Sequence, residues 1–251
     1  MQEWTDNQTQ VAQAHKLYDK GQWREAAALL RSVIRSDPHN ASWYFNLGLT
    51  LSAMGDHPAA CQAYKSASVL TPEDVETLNC LGVTLTRLGK YAESLTAFER
   101  IQNLDPNYEP SYCNRIVAYT EIGRHDEAEL MFYLARQLVE DCPLCYFNIG
   151  NSHYVRGNYA HAIDCWRQTL GIDENYGQAH CRIADAYWAR GNLPKALEHY
   201  RAELAITGQC EETLQDIAEV LQEMKQATPK PTQTGLRNLY QKILAKLPRQ
   251  V

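Results

Sequence analysis

The sequence repeats itself every 34 residues, six times in succession, without an insertion or deletion between residues 7 and 210. Six glycines occupy one position of this period: Gly21, Gly55, Gly89, Gly123, Gly157 and Gly191. A small residue follows each glycine five positions later: Ala26, Ala60, Ser94, Ala128, Ala162 and Ala196. A period of this length is typical of stacked helical hairpins, because one unit cannot bury its own apolar face and needs its neighbours.

Each unit contains two amphipathic patterns separated by the glycine. In the fifth unit the first pattern consists of Tyr146, Ile149, Gly150 and His153, and the second of Ala162, Trp166, Thr169 and Leu170. Both follow the spacing of helices that bury one face. We expect the glycine to take the tight turn, and the small residue to let two helices pack at about 8–10 Å.

Other positions of the period carry the signature of a known family. In the second unit they are Tyr44, Leu47, Gly48, Leu51, Gly55, Ala60, Tyr64, Ala67 and Pro72, and in the third Leu78, Leu81, Gly82, Leu85, Gly89, Ser94, Phe98, Ile101 and Pro106. Over residues 7–210 the chain resembles the tetratricopeptide repeat family. The resemblance implies an all-α fold, a right-handed superhelix or solenoid of six repeats at 7–40, 41–74, 75–108, 109–142, 143–176 and 177–210.

Sequences outside the repeats predict three further segments, after a short N-terminal lead-in at residues 1–6. Residues 211–226 predict an acidic capping helix whose apolar stripe is Leu214, Ile217, Leu221 and Met224. Residues 227–234 contain two prolines and predict a linker. Residues 235–251 predict a basic amphipathic C-terminal helix, which we expect to fold back on the groove, pair with a second protomer or meet an anionic membrane surface.

Charge, composition and missing motifs argue against several classes of function. The formal net charge is −6, and all 30 acidic residues precede residue 225, so most of the chain repels phosphate and we expect no nucleic-acid partner. We see neither an apolar run long enough to span a bilayer nor a secretory signal, so the expected location is cytoplasmic and no membrane contact is expected except through residues 235–247. Phosphate loops and hydrolase motifs are missing, so the sequence predicts neither an enzyme nor a cofactor.

A row of asparagines on the first helices predicts a binding groove. Asn46, Asn114 and Asn148 recur in register, and Arg182 takes the same position in the sixth unit. An amide offers donors and an acceptor to the backbone of an extended peptide, and the row resembles the asparagine ladders of peptide-binding members of the family. The predicted groove also includes Phe45, Asn79, Phe147, Asn151, Tyr154, Asp185 and Trp188, although aromatic residues here can equally pack between repeats.

The eight cysteines are scattered, apart from the pair in Cys142-Pro-Leu-Cys145. A CxxC at the start of a helix can be a redox pair or half of a zinc site. The sequence has no βαβ pattern for the first and no second ligand pair at zinc spacing for the second. We therefore interpret Cys142 and Cys145 as an ordinary thiol pair, with a metal role as the alternative.

Together these observations predict a non-enzymatic scaffold or adaptor that binds an extended peptide or disordered segment of a protein partner. Two alternatives stay open. A secretion or assembly chaperone would use the same groove, and a cysteine-based redox or metal-sensing module would use the CPLC pair. A homodimer is also compatible with the sequence.

Overall fold

The computed structural model describes residues 2–208 and 210–227, and every regular element in them is an α-helix. The helices are α1 (Gln2–Asp19), α2 (Trp23–Ser36), α3 (Ala41–Ala53), α4 (His57–Leu70), α5 (Val75–Arg87), α6 (Tyr91–Leu104), α7 (Glu109–Glu121), α8 (His125–Leu138), α9 (Pro143–Val155), α10 (Tyr159–Ile172), α11 (Ala179–Ala189), α12 (Leu193–Thr207) and α13 (Glu211–Ala227). The predicted all-α fold class is confirmed. The predicted C-terminal helix at 235–251 lies outside the described residues.

The 34-residue period reappears in the positions where helices begin. The first helices α3, α5, α7 and α9 begin at Ala41, Val75, Glu109 and Pro143, and the second helices α2, α4, α6, α8, α10 and α12 begin at Trp23, His57, Tyr91, His125, Tyr159 and Leu193. Two first helices depart from this register. Helix α1 begins at Gln2 and so includes the segment that the sequence treats as a lead-in, whereas α11 begins at Ala179 after Gln178 adopts a left-handed conformation with φ 70°.

Glycine has two distinct roles in these helical pairs. Gly55, with φ 77°, makes the left-handed turn between α3 and α4, a conformation that costs other residues free energy. The other five glycines of the predicted turn row share this conformation, so that prediction is confirmed. Gly48 lies inside α3, where a Cβ would stand 2.5 Å from Tyr64 Cε1 of α4. The Leu-Gly pair of the repeat is therefore a point of close approach between two helices.

The chain divides into two compact structural units, each longer than a single 34-residue repeat and each with its own buried side chains. Below, the first unit and the second unit are these two parts of the chain. The first runs from Met1 to Arg156 and contains α1 to α9; its fully buried residues include Leu30, Tyr64, Leu78, Phe98, Ile101, Ile116 and Ile149. The second begins at Gly157 and contains α10 to α13, with Trp166, Ile183 and Tyr200 fully buried. Complete burial of one such side chain contributes roughly 1.5–3 kcal/mol, so these rows carry much of the stabilisation.

The capping helix α13 packs against α12 and keeps three residues of the predicted stripe, Ile217, Leu221 and Met224, half-buried. Thr213 and Val220 are buried, while Leu214, which the sequence places on the buried stripe, is 47% exposed. The prediction for Leu214 is wrong because the adjacent Thr213 takes the buried position in the first turn of α13, where its hydroxyl lies 3.5 Å from Cys181 Sγ.

Within the described residues, the helices lack the combination of length and apolar character that a bilayer crossing requires.

Candidate functional site

The first helices of neighbouring repeats lie in contact, with α5 against α7 and α7 against α9. Two asparagines of the predicted row bridge these contacts. Asn114 of α7 donates a hydrogen bond from Nδ2 to Oδ1 of Asn79 on α5, 2.9 Å away. Asn148 of α9 donates from Nδ2 to the backbone carbonyl oxygen of Cys113 on α7, 3.0 Å away. The amide row therefore runs across adjacent repeats and connects them.

The asparagines differ in how accessible their amides are. Asn148 is 6% exposed, which leaves it almost no surface for a ligand. Asn46, Asn79 and Asn114 are half-buried and keep part of their amides at the surface. The structure therefore places Asn148 between two repeats, and the candidate ligand-contacting amides of the first unit are the other three.

The remaining predicted residues of the first unit lie on α3 and α9. Phe45 packs its ring against Tyr64 of the neighbouring helix, with centroids 6.0 Å apart and an interplanar angle of 57°. Phe45 thus contributes partly to the packing of its own helical pair. Phe147, Asn151 and Tyr154 are half-buried on α9.

In the second unit, Arg182, Asp185 and Trp188 lie on α11. The Arg182 side chain is partly exposed, and its Nη1 lies 3.6 Å from Asp185 Oδ2. Asp185 accepts a hydrogen bond of 2.6 Å from the Tyr200 hydroxyl, and burial together with this carboxylate raises the pKa of Tyr200. The polar atoms of Asp185 are thus already engaged within the unit.

Trp188 is held by the capping helix. Its Nε1 donates to Glu223 Oε2 of α13 at 2.7 Å, and its ring meets Tyr200 edge-on with centroids 6.4 Å apart. The structure gives this tryptophan a role in docking α13.

A second group of polar side chains forms where α9 begins, and we call it the cysteine cluster: Glu109, Cys113, Cys142 and Cys145. Cys113 and Cys145 are joined by a disulfide, with Cα atoms 5.1 Å apart. Cys142 Sγ lies 3.6 Å from Cys113 Sγ. Glu109 Oε1 lies 2.9 Å from Cys113 Sγ and 3.1 Å from Cys145 Sγ. Four potential ligand atoms from two neighbouring repeats therefore share one small volume.

The local sequence explains how these residues meet. Glu109 and Cys113 are one turn apart on α7, so their side chains lie on one face. Cys142 is the N-cap residue of α9, and its Sγ accepts a hydrogen bond of 3.4 Å from the Cys145 amide. Because α7 packs against α9, this N-terminal turn lies directly beside Glu109 and Cys113.

The surroundings of Cys142 do not resemble those of a redox nucleophile. Burial, and to a lesser extent the Glu109 carboxylate, raises the pKa of the Cys142 thiol to about 11. Catalytic thiols instead have lowered pKa values. Without a nearby cation, Cys142 is therefore protonated at neutral pH and is a poor attacking thiolate.

Sequence reasoning considered only Cys142 and Cys145 and missed Glu109 and Cys113. The signal was present, since Cys113 precedes Cys145 by 32 residues, close to one period of the repeat. Residues one period apart on first helices lie on neighbouring helices, so a search for cysteines near that spacing would have found this partner.

Comparison with known protein families gives matches over most of the repeats. One family profile described as Tetratricopeptide repeat matches residues 11–75 and 147–209, and a second profile with the same description matches residues 75–108. No curated protein sequence matches the chain significantly.

Solved structures of similar fold include several repeat proteins. A thermophilic tetratricopeptide repeat protein of Thermus thermophilus is 21% identical, with 72% of this chain and 99% of that chain covered and a TM-score of 0.66. The type IV pilus biogenesis factor PilW is 18% identical, with coverage of 84% and 98% and a TM-score of 0.71. A tetratricopeptide repeat protein from Parabacteroides merdae is 17% identical, with coverage of 88% for both chains and a TM-score of 0.73. At these identities the likeness concerns the fold.

Proposed function

The chain belongs to the tetratricopeptide repeat family, and from that premise we propose that it is a non-enzymatic scaffold that binds an extended or disordered segment of a protein partner. The proposed binding surface in the first unit is the row of first helices, with Asn46, Asn79 and Asn114 as the polar contacts. Phe147 and Tyr154 of α9 supply the adjacent aromatic surface.

The observation that supports this proposal most directly is the hydrogen bond between Asn79 and Asn114 across α5 and α7. It uses one of the two donor hydrogens of the Asn114 amide and one lone pair of the Asn79 oxygen. The pair therefore retains donors and acceptors that a peptide backbone can use. Packed helices about 10 Å apart also match about three residues of extended chain at roughly 3.3 Å each.

Charge favours a basic partner segment. All 30 acidic residues of the chain precede residue 225, while 18 of its 24 basic residues share that stretch. The repeats thus carry an excess of negative charge, which attracts a segment rich in lysine or arginine and accelerates its association at low salt. We place this interaction in the cytoplasm.

The test measures peptide affinity of the full chain. An array of disordered, lysine-containing peptides identifies a binder, whose Kd is then measured for the parent chain and for Asn79→Ala and Asn114→Ala. Loss of an amide contact should weaken binding by about 1–2 kcal/mol. The matched control is Asn103→Ala, which changes an exposed asparagine at the end of α6.

If Asn103→Ala weakens peptide binding as much as the groove variants do, or if Asn79→Ala and Asn114→Ala both keep full affinity, the proposed binding surface is wrong. A chaperone with the same groove differs in its ligand. It would bind an unfolded subunit and release it once the subunit has folded.

A further inference from the structure

The cysteine cluster has the donor set and spacing of a metal site. The ligand atoms of Glu109, Cys113, Cys142 and Cys145 all lie within 4.8 Å of one another. In a tetrahedral zinc site, bonds of about 2.3 Å to sulfur and about 2.0–2.2 Å to oxygen place the ligand atoms roughly 3.3–3.8 Å apart. The 3.6 Å between Cys113 Sγ and Cys142 Sγ already falls in this range. Once the Cys113–Cys145 bond is reduced, small side-chain movements would bring all four donors around one cation.

The position of Glu109 is not explained by the disulfide. A disulfide sulfur carries no proton, so neither Cys113 nor Cys145 can donate to the Glu109 oxygen when they are joined. Yet that oxygen lies 2.9 and 3.1 Å from the two sulfurs. Thiol protons, or a cation shared between the oxygen and the sulfurs, would stabilise a carboxylate so close to two sulfur atoms. The geometry of Glu109 thus fits the reduced cluster.

The helices hold the donors from both sides. Cys113 and Cys145 are fully buried, and Cys142 is 9% exposed. The Cys145 amide donates to Cys142 Sγ, and the positive end of the α9 dipole is nearby, so both features stabilise negative charge on that sulfur. Donors fixed on rigid helices form a preorganised site, since little conformational entropy is lost when a cation binds.

We propose that Glu109, Cys113, Cys142 and Cys145 bind one divalent cation of the zinc class through three thiolates and one carboxylate. Four protein ligands leave no open position, which is the arrangement of structural rather than catalytic zinc. The cation joins α7 to α9 and thereby fixes two neighbouring repeats. It also lies beside the Asn148 contact with the Cys113 carbonyl, so it stabilises the row that contains Asn114.

Binding requires the reduced form of the cluster. A dithiol reductant supplies two electrons and two protons to the Cys113–Cys145 bond and is itself oxidised to a disulfide. The three thiols then lose their protons as the cation binds, so metal uptake releases protons to solvent. Disulfide and cation are alternative states of the same sulfur atoms.

The experiment uses the full chain, reduced under inert gas and loaded with one equivalent of zinc. After gel filtration, elemental analysis should find about one zinc ion per chain. Cobalt(II) loaded in the same way should give the intense ligand-field bands of tetrahedral coordination, together with thiolate charge-transfer absorption. Competition with a chromogenic chelator gives the affinity. Zinc should also raise Tm, because the cation binds the folded state.

Three variants test the ligands individually. Cys113→Ser, Cys142→Ser and Glu109→Gln should each lower zinc affinity at least about tenfold. The matched control is Cys165→Ser, which changes a half-buried cysteine of α10 outside the cluster and should leave zinc content unchanged. Circular dichroism of the metal-free variants separates loss of a ligand from loss of the fold.

Four results would overturn the proposal. The reduced parent chain could retain no zinc, or Cys165→Ser could lose as much zinc as the cluster variants. Glu109→Gln and Cys142→Ser could also keep their helical fold and bind zinc as tightly as the parent. A chain that keeps its Cys113–Cys145 bond in the presence of a dithiol reductant would likewise show that the cluster is a permanent disulfide. None of these results depends on peptide binding, so failure here leaves the scaffold proposal intact.

Discussion

Asn148 and Cys113 are joined across two repeats, because the Asn148 side-chain amide of α9 donates to the Cys113 backbone carbonyl of α7 at 3.0 Å. Asn148 is 6% exposed and Cys113 is fully buried. A buried carbonyl that loses its donor cannot recover the bond from water. This asparagine therefore holds the stack of repeats together from within.

Replacement of this amide should therefore affect folding. We expect Asn148→Ala to lower the free energy of unfolding by about 0.5–1.5 kcal/mol, since it removes a buried hydrogen bond between two repeats. Urea unfolding followed by circular dichroism measures the change. Asn46→Ala is the matched control, because Asn46 is half-buried and should change stability by less than about 0.5 kcal/mol. Equal stability of the two variants would contradict this role for Asn148.

The period of the sequence predicted the helical pairs well, for a physical reason. Tight turns need residues that tolerate positive φ, and close approach of helices needs small residues. Gly55 therefore indicates the position of a turn, and Gly48 indicates the position where two helices approach closely. Side-chain partners across repeats are less visible. The bond between Asn148 and Cys113 joins residues 35 positions apart, and the sequence alone could not distinguish an amide facing a ligand from one facing a carbonyl.

The departures from prediction have the same origin. The burial of Thr213 in place of Leu214 and the late start of α11 both involve polar contacts made by particular atoms, whereas an amphipathic pattern indicates only which face of a helix is apolar. Likewise, Glu109 joins the cysteine cluster through packing of α7 on α9, a tertiary contact that no local motif contains. Residues 228–251, including the predicted basic helix, lie outside the described residues.

Glu203 supports the late start of α11. This carboxylate is 2% exposed on α12, and its two oxygens accept hydrogen bonds from the backbone amides of Gln178 at 2.9 Å and Cys181 at 3.4 Å. It therefore replaces the N-cap that Gln178, in its left-handed conformation, does not provide.

We expect Glu203→Ala to destabilise the chain by about 1–3 kcal/mol, because two amides lose a charged acceptor. Glu198→Ala, which changes an exposed residue of the same helix, is the control and should have little effect. Thermal unfolding monitored by circular dichroism compares the two. If both variants unfold at the same temperature as the parent, the cap does not stabilise α11.

Two of the helical glycines, Gly48 and Gly171, should respond in opposite ways to alanine. At Gly48 a Cβ would meet Tyr64 Cε1 at 2.5 Å, so the tyrosine or the helix must move, at a cost of about 1–3 kcal/mol. At Gly171, in the last turn of α10, a Cβ meets nothing within 4 Å, and alanine should stabilise by up to about 1 kcal/mol through helix propensity. Urea midpoints should therefore shift in opposite directions, and a shift in the same direction would show that helix propensity, not contact with Tyr64, controls Gly48.

A histidine pair in the second unit should make stability depend on pH. His180 Nδ1 and His199 Nδ1 lie 3.0 Å apart, so one Nδ1 carries a hydrogen and donates it while the other accepts. The two Nδ1 atoms cannot both carry a hydrogen at this distance. Tyr187 stacks on His199 with centroids 5.6 Å apart, and Lys195 and Arg167 add positive charge nearby. Burial, then the neighbouring His180, lowers the pKa of His199 to about 4, and burial also lowers the pKa of His180.

Because the pKa of His199 is lower in the folded than in the unfolded chain, the unfolded chain binds more protons between pH 4 and about 6.5. Stability contributed by the pair is therefore complete above about pH 6.5 and is lost as the pH falls toward 4. Urea unfolding from about pH 4.5 to about 7.5 should give a shallower pH dependence for His199→Gln than for the parent. His39→Gln, which changes an exposed histidine before α3, is the control and should follow the parent curve. A His199→Gln curve parallel to that of the parent would show that the pair does not couple folding to protonation.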